Sequence, residues 1–599
     1  MSSHMQRLKA LREELHRQNL QGFFVPLTDE HMSEYVGAYA QRLAWLTGFE
    51  GSAGSAVVLE HGAAIFVDGR YTIQVREQTD PDIWSYGTPP RDNPVRWAAS
   101  HLKSGDRVGY DPWLASSGWE KSTRLLLESS GIHLIAVESN PIDNIWQGRP
   151  LPSQAPVFIQ PDNLAGCTSA KKRQDIAQWL EEIKADSLVL TALDSIAWIF
   201  NIRGRDVSCT PVALAFAFIH KDASADLFID LSKIDEALKA HLGPDIRIHD
   251  RSDFAAALKN FSKKYVALDP EHSVMAISAL LKAGNAQIIE VRDPVILKKA
   301  IKNATEIQGH RHAQLRDSTA LTRFLYWLSQ TAPKGSLTEL SAAEKLLEFR
   351  KDTGALVDVS FETISAVGPH SAIPHYRVTE ASNLPLKNNE IYLVDSGGQY
   401  QDGTTDVTRT VIIGTPTQEM KQRFTLVLKG HIALAQSVFP KGVCGAQLDS
   451  FARQYLWQAG LDYAHGTGHG VGAFLSVHEG PQRISPSGGA FSGGSEVLQS
   501  GMIISNEPGY YKTGAYGIRI ENLLLVKPVK ITNAEKECLG FETLNFAPID
   551  RHLIDISLLS ESDINWLDNY HADVRQRLSP FLSEEESTWL KEMTLPLAS

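Results

Sequence analysis

The sequence predicts a mixed α/β (α+β) protein in which two related α/β domains precede a larger C-terminal domain. Three observations indicate this organisation: an internal repeat, a proline-rich linker, and a C-terminal region where long helices precede strand-like segments bounded by glycine. The chain of 599 residues is too long for one hydrophobic core. Its length alone suggests about three or four domains.

The internal repeat has the order helix, strand, helix, tryptophan, strand. In the first copy, residues 6–21 have helical spacing of leucines and lead into a short apolar run, and Trp45 follows. In the second copy, residues 171–186 lead into a similar run, and Trp198 follows. Because the two copies are offset by about 150 residues, we expect two α/β domains of one type.

A linker between the two copies is indicated by five prolines, which remove backbone donors: Pro141, Pro150, Pro152, Pro156 and Pro161. A second boundary is expected near Pro294, because a long helical pattern follows it. The predicted domains are residues 1–152, 153–298 and 299–599.

Long amphipathic helices are predicted in the C-terminal region. One has an apolar stripe from Ile307 to Leu328, and another covers residues 419–439. Each precedes strand-like segments. A last helix is expected after Ser583, which forms a capping-box pattern with Glu586.

Composition excludes several classes of partner and location. Hydrophobic residues make up 43% of the chain and charged residues 21%, as in ordinary globular proteins. The net charge of −12 argues against nucleic acid or an anionic membrane. No apolar run approaches the roughly 20 residues that cross a bilayer, and no signal-peptide core is present. The four cysteines are far apart, so we expect reduced thiols and a cytoplasmic protein.

Two aspartates are predicted to lie side by side on a hairpin. Asp395 closes the apolar run 391–394 and is followed by a glycine turn. Asp406 stands in a run of β-branched residues, 404–411, that reads as the returning strand. Paired strands would bring the two carboxylates together.

Three further residues have contexts that suit a metal site. His469 lies among glycines that let the backbone approach a ligand closely. Glu507 ends a strand-like run just before Pro508, and Glu521 shares a strand face with Arg519. The candidate metal ligands are therefore Asp395, Asp406, His469, Glu507 and Glu521.

The charges of this set match two divalent ions. Four carboxylates carry −4 and two divalent ions carry +4, and the ions would activate a water at neutral pH. A set with one imidazole, four carboxylates and no thiolate favours Mn²⁺, with Co²⁺, Zn²⁺ or Fe²⁺ as alternatives.

These motifs are similar to the metal motifs of the pita-bread metallopeptidases, a family that includes methionine aminopeptidase, prolidase and aminopeptidase P. The whole chain, with its two N-terminal domains, resembles the three-domain, cytosolic type of Xaa-Pro aminopeptidase. The resemblance implies a pita-bread fold for the C-terminal domain, with two helix-and-sheet halves around a cleft. It rests on residues 393–410, 466–472, 507–511 and 517–522, and it extends to residues 45–54 and 565–571.

The resemblance also implies roles around the metals. His375 and His478 would face the metal pair, stabilise the carbonyl oxygen and steady the substrate. His465 would form a wall of the substrate pocket. Arg519, on the strand face of Glu521, is expected to orient a carboxylate or contact substrate, and an ion pair that only supports the sheet is the alternative. Glu507 would also move a proton to the leaving amine.

The implied reaction is hydrolysis of the bond between any N-terminal residue and a penultimate proline, by a water that two metals activate. The implied partners are peptides with proline in second place, and the family suggests a homodimer. One alternative is a prolidase that accepts only Xaa-Pro dipeptides. Another is a pita-bread module that binds peptides or proteins without catalysis, but such a module would be expected to lack metal ligands.

Overall fold

The computed structural model describes residues 3–486 and 493–597. The chain divides into two compact units, of which the first ends at Ile296 and the second begins at Leu297. The predicted domain boundaries at 152/153 and 298/299 stay predictions. Within the described ranges, no helix has the length and apolarity that crossing a membrane requires.

The first unit contains two six-stranded sheets. In spatial order, the strands of the first sheet are Ser85–Gly87, Ala63–Phe66, Ser55–Leu59, Gly22–Pro26, Arg107–Tyr110 and His133–Ala136. Those of the second are Ile246–His249, Ala225–Ile229, Ala215–His220, Ser187–Leu190, Tyr265–Leu268 and Gln287–Glu290.

Both sheets have the same topology, which confirms the predicted repeat. In each sheet the first strand in sequence is central; it pairs antiparallel with the second strand of its sheet and parallel with the fifth. Each sheet then ends in one parallel pair on either side. Two segments of different sequence thus adopt one mixed α/β arrangement.

Helices accompany both sheets of the first unit. Those of four residues or more are Ser3–Arg17, Arg42–Thr47, Gln74–Gln78, Pro94–His101, Ser117–Glu128, Pro141–Ile145, Asp162–Ala165, Ser169–Glu182, Leu193–Phe200, Glu236–Leu242, Phe254–Ala257 and Met275–Ala283. The predicted linker is shorter than its prolines suggest, because Pro141 begins a helix, with Asn140 as the N-cap. Residues 146–157 have no helix or strand.

The strands of the second unit form one six-stranded sheet and several smaller ones. A three-stranded antiparallel sheet is formed by Ile364–Val367, Glu390–Ser396 and Val407–Ile413, and a smaller one by Asp358–Val359, Gly398–Tyr400 and Gly403–Thr404. A six-stranded sheet has the order Phe439–Pro440, Cys538–Thr543, Asn522–Val529, Ile503–Asn506, Gly468–Gly470 and Glu479–Ile484, and Gly509–Lys512 pairs with Tyr516–Arg519.

The helices of the second unit include the predicted long ones: Ala304–Thr331, Glu339–Lys351, Gln418–Ala435, Gly445–Gln458, Glu561–Leu578 and Glu584–Met593. Helix Pro294–Ala300 spans the boundary between the units. The final helix begins with the capping box predicted from Ser583 and Glu586. Such a box satisfies backbone donors that a helix start leaves unpaired.

Packing fixes the strand Glu390–Ser396 between two apolar clusters. Ile391 packs in a cluster with Phe424, whereas Tyr392 packs in another with Phe324. Alternation along the strand explains why neighbours enter different cores. Burial of each large side chain contributes about 1.5–3 kcal/mol, so the strand that ends in Asp395 is firmly held.

Candidate metal centre

The predicted hairpin carries the two aspartates. Strands Glu390–Ser396 and Val407–Ile413 pair antiparallel, with Asp395 opposite Thr408, and Asp406 lies just before the returning strand. Asp395 and Asp406 are 7% and 3% exposed. The two strands pair as predicted, and Asp395 and Asp406 lie at the same end of the pair.

His469 is held against the strand that leads to Glu507. A Cβ atom at Gly468 would lie 1.9 Å from the carbonyl oxygen of Ser505, so only glycine permits this approach. Ser505 Oγ accepts a hydrogen bond from His469 N at 2.9 Å and donates one to Glu507 Oε1 at 2.9 Å. One serine thus fixes the positions of both residues.

The candidate ligands converge at one place. Asp406, His469 and Glu521 each offer one ligand atom within 4.8 Å of the others. His469 Nε2 lies 3.4 Å from Asp406 Oδ2 and 3.3 Å from Glu507 Oε1. These distances bring four of the five predicted ligands together.

Arg519 connects Asp395 to the other carboxylates. Its guanidinium donates to Asp395 Oδ2 at 2.6 Å and, through Nε, to Thr408 Oγ1 at 3.1 Å. Thr408 Oγ1 in turn donates to Glu521 Oε2 at 2.8 Å. The two residues do not share a strand as predicted, because one strand ends at Arg519 and the next begins at Asn522. Arg519 nevertheless orients Asp395 directly and Glu521 through the hydroxyl of Thr408.

The carboxylates are crowded enough to resist ionising together. Burial raises the pKa of Asp406 to about 7, and the neighbouring charges of Asp395 and Glu507 act in the same direction. Burial also raises the pKa of Glu521 well above its ordinary value, and the charges of Asp406 and Glu507 add to that rise. Positive charge placed among these oxygens would relieve both effects.

For His469 and Glu507, in contrast, the surroundings favour the charged form of each side chain. Burial alone would lower the pKa of His469, but hydrogen bonds to Asp406 and Glu507 raise it to about 10. Burial alone would raise the pKa of Glu507, but its contact with His469 lowers it below the ordinary range. A metal ion bound at His469 Nε2 would displace the proton that this pairing favours.

The residues present fit a pair of divalent cations. Among the described residues, the buried oxygens Asp395 Oδ1 and Glu521 Oε1 have no hydrogen-bond partner, which is costly unless a cation binds there. His469 Nδ1 donates to the carbonyl oxygen of Gly470 at 2.9 Å, which leaves Nε2 directed toward the carboxylates.

The outer histidines have different surroundings. The ring of His478 packs edge-on against that of His469, with 4.4 Å between ring centres and an angle of 81°. His375 is half-buried in the turn after the short helix Gly368–Ala372. That helix packs against the strand of Arg519, because Gly517 N donates to Ser371 Oγ at 2.7 Å.

His465 is more fully engaged than its predicted role requires. Its Nδ1 lies 2.8 Å from the carbonyl oxygen of Gly466, and its Nε2 lies 2.8 Å from the hydroxyl of Tyr511. Burial lowers the pKa of His465 to about 4, so the ring is neutral. Because both ring nitrogens have partners, His465 would contact a substrate through the face or edge of its ring and not through a free nitrogen.

Besides Ser505 and Thr408, two more residues with a part in the site were not selected from the sequence. The hydroxyl of Tyr511 accepts from Arg519 at 2.8 Å and reaches His465, so it links that histidine to the carboxylates. Arg409 is buried and donates to the carbonyl oxygens of Thr408 and Glu521, at 2.8 and 2.7 Å. Tyr511 lies in the motif 507–511 and Arg409 in the motif 393–410. Their positions inside these motifs are the sequence feature that could have indicated them.

Four family models match the chain in succession. The Creatinase/Prolidase N-terminal domain matches residues 7–139, and a second such domain matches residues 148–306. Metallopeptidase family M24 matches residues 308–528, and the C-terminal region of peptidase M24 matches residues 537–597. A metallopeptidase with two N-terminal accessory domains is the class that this order defines.

Similar proteins share the whole length of the chain. The "Probable Xaa-Pro aminopeptidase P" of Talaromyces marneffei is 40% identical over 99% of this chain and 92% of its own. That of Paracoccidioides brasiliensis is 38% identical over 99% of each chain. The crystal structure of a Caenorhabditis elegans X-prolyl aminopeptidase, described as a cytosolic enzyme with a di-nuclear active site, is 35% identical, with a TM-score of 0.94 and complete coverage of both chains.

The fold, the site and these similarities agree. This chain belongs to metallopeptidase family M24, in the group of the Xaa-Pro aminopeptidases P. It is a metallo-aminopeptidase, and its buried acids and histidine fit divalent metal ions.

Proposed function

We propose that this protein removes the N-terminal residue from peptides whose second residue is proline. The observation that carries the proposal is the convergence of Asp406, His469 and Glu521 in a chain that matches Xaa-Pro aminopeptidases P along its whole length. A bond before proline is a tertiary amide without an N–H group, so an enzyme cannot recognise it by the usual backbone pairing. A dedicated site solves that problem.

Five residues would hold the two ions: Asp395, Asp406, His469, Glu507 and Glu521. When bound, divalent ions polarise a carbonyl and lower the pKa of water toward neutrality. We propose Mn²⁺ as the native ion, because the donor set is rich in oxygen and lacks thiolate. Arg519 keeps the carboxylate of Asp395 in place by its 2.6 Å hydrogen bond.

The remaining polar residues act on the substrate. His478, packed against His469, donates a hydrogen bond to the scissile carbonyl oxygen as its negative charge grows. His375 steadies the peptide backbone or the leaving nitrogen, and the ring of His465 forms a wall of the pocket. Glu507 moves a proton to the proline nitrogen as the bond breaks. We further propose a homodimer, which light scattering would test, and a cytoplasmic location. The family resemblance supports both.

A peptide series tests the specificity. The holoenzyme should release one free residue from Xaa-Pro-Yaa and longer peptides, and should turn over Xaa-Ala-Yaa far more slowly because the ring pocket stays unfilled. Acetylation of the N-terminal amine should also stop cleavage if the centre binds that amine. Cleavage confined to Xaa-Pro dipeptides would assign a prolidase instead. If protein with two bound ions cleaved none of these peptides, a binding function without catalysis would remain.

A further inference from the structure

A buried cluster of three charged side chains lies next to His478 in sequence. Glu479 is 1% exposed, and Lys299 and Lys302 are 2% and 3% exposed. Lys302 Nζ donates to Glu479 Oε1, and Lys299 Nζ lies 3.0 Å from Glu479 Oε2. We refer to Lys299, Lys302 and Glu479 as the buried charge triad. Burying charges opposes folding, and removing one partner from such a cluster leaves a buried charge uncompensated.

The backbone of Glu479 sets the spacing of two histidines of the site. Glu479 begins the last strand of the six-stranded sheet, and it pairs there with Gly470. His478 directly precedes Glu479, and His469 directly precedes Gly470. The paired residues therefore stand at the base of the two imidazoles, whose ring centres are 4.4 Å apart.

The loop that joins the two histidines is fixed at two points. At its middle, Leu475 O accepts a hydrogen bond from Gln399 Nε2 at 2.8 Å. At its end, the carboxylate of Glu479 lies so close to Gly472 that a Cβ atom there would be 3.1 Å from Glu479 Oε2. The carboxylate thus supports the loop as well as the strand.

The lysine that pairs with Glu479 is itself rigidly placed. Lys302 precedes Asn303, the N-cap of helix Ala304–Thr331, and its backbone N donates to the carbonyl oxygen of Gly501 at 2.9 Å. Lys302 Nζ also donates to the carbonyl oxygen of Lys299 at 2.8 Å. The triad therefore fastens the histidine loop to the start of the longest helix.

We propose that Glu479, held by Lys299 and Lys302, is a positioning residue for His478. Glu479 is the first residue of its strand and directly follows His478, so a carboxylate held by two lysines holds the backbone from which the imidazole extends. A donor misplaced by a fraction of an ångström stabilises the transition state less. The role rests on the proposed function, in which His478 acts on the scissile carbonyl.

A double-mutant cycle on the holoenzyme tests the role. Glu479→Gln should lower kcat for Xaa-Pro-Yaa by about 10–10²-fold with little change in KM, because an effect on the transition state appears in kcat. In a His478→Ala background, the same substitution should cost less than about threefold, because the positioned group is gone. Both variants should keep two ions per chain.

A matched control separates positioning from general stability. Lys429→Met breaks a largely buried ion pair with Asp563, at 3.1 Å between helices Gln418–Ala435 and Glu561–Leu578. It should lower Tm, leave kcat unchanged and show no coupling to His478. Equal losses from Glu479→Gln in both backgrounds, or loss of metal, would show that Glu479 only stabilises the fold.

A second variant covers the case in which Glu479→Gln does not fold. Lys299→Met leaves the neutral pair of Lys302 and Glu479, and should lower kcat by about three- to tenfold, again only when His478 is present. Additive losses for this variant overturn the role of Glu479 and leave the proposed function intact. A parent holoenzyme that does not cleave Xaa-Pro-Yaa overturns the proposed function and this role together.

Discussion

Histidines and carboxylates meet on neighbouring strands in both units, but the two clusters differ in how their charge is balanced. In the first unit, Asp226 accepts hydrogen bonds from His220 and His249, each at 2.7 Å, and from two nitrogens of Arg247. Burial alone would raise the pKa of Asp226, but these donors lower it below the ordinary range. The protein itself neutralises that carboxylate.

In the second unit the protein leaves the charge unbalanced. Burial raises the pKa values of Asp406 and Glu521, and neighbouring carboxylates raise them further. A buried oxygen of Asp395 and one of Glu521 have no hydrogen-bond partner among the described residues. A metal centre is therefore distinguished from a structural cluster by uncompensated acid charge, and residue types alone do not distinguish the two.

Removing one acid from the candidate metal centre, the unbalanced cluster, should have the largest effect on metal binding and activity. Asp395→Asn or Glu521→Gln removes an anionic ligand, so occupancy and kcat should fall by several orders of magnitude. Metal analysis and a peptide assay measure both, and a chelator should abolish activity in the parent. Full activity in a thoroughly metal-free preparation would contradict the metal centre. Asp226→Asn is the matched control and should retain two ions per chain.

His478→Ala should have the next largest effect, because it removes a donor and leaves every ligand. We expect two bound ions and a loss of about 10²–10³ in kcat. Kinetics at saturating metal, with metal content determined on the same sample, checks this. Loss of an ion from this variant would make His478 a ligand.

Acid sensitivity should come from histidines that are buried without a carboxylate. Burial is the main cause that lowers the pKa values of His310, His431 and His571 to about 3. Because an unfolded histidine titrates near 6.5, each contributes stability that is present above about pH 6.5 and is lost as the pH falls toward 3. The slope is at most about 1.4 kcal/mol per pH unit for each histidine.

Chemical unfolding of the metal-free protein at several pH values measures this slope. His571→Gln should make the free energy of unfolding less dependent on pH below 6.5, since glutamine can still accept from Ile549 N. The exposed His61 provides the matched control, and His61→Gln should leave the slope unchanged. Identical slopes for all three proteins would contradict the assignment.

The smallest effect is expected from a change in the cluster around Asp226, the balanced cluster. Asp226→Asn removes the charge that Arg247 and two histidines share, and should lower the free energy of unfolding by about 1–3 kcal/mol. Thermal and denaturant unfolding measure that loss, and kcat should stay unchanged. A drop in kcat or in metal content would show that the balanced cluster takes part in function.

Local sequence patterns predicted much of the fold. The repeat led to two sheets of identical strand order, the capping box of Ser583 and Glu586 began the last helix, and the run after Asp395 returned as a hairpin. These features depend on backbone periodicity and on contacts within a few residues, which a sequence displays directly. The linker was less well predicted, because Pro141 can begin a helix as readily as interrupt one.

The sequence by itself determined which residue types the metal centre contains and on which strands and turns they lie. Tertiary structure alone decided how they are paired: Arg519 with Asp395, Tyr511 with His465, and Lys302 with Glu479, across separations of 124, 46 and 177 residues. The pKa of a carboxylate follows from burial and from the charges that distant segments bring to it. The local sequence does not show which distant segments come into contact. Only the folded chain therefore distinguishes a carboxylate that the protein itself neutralises from one that requires a metal.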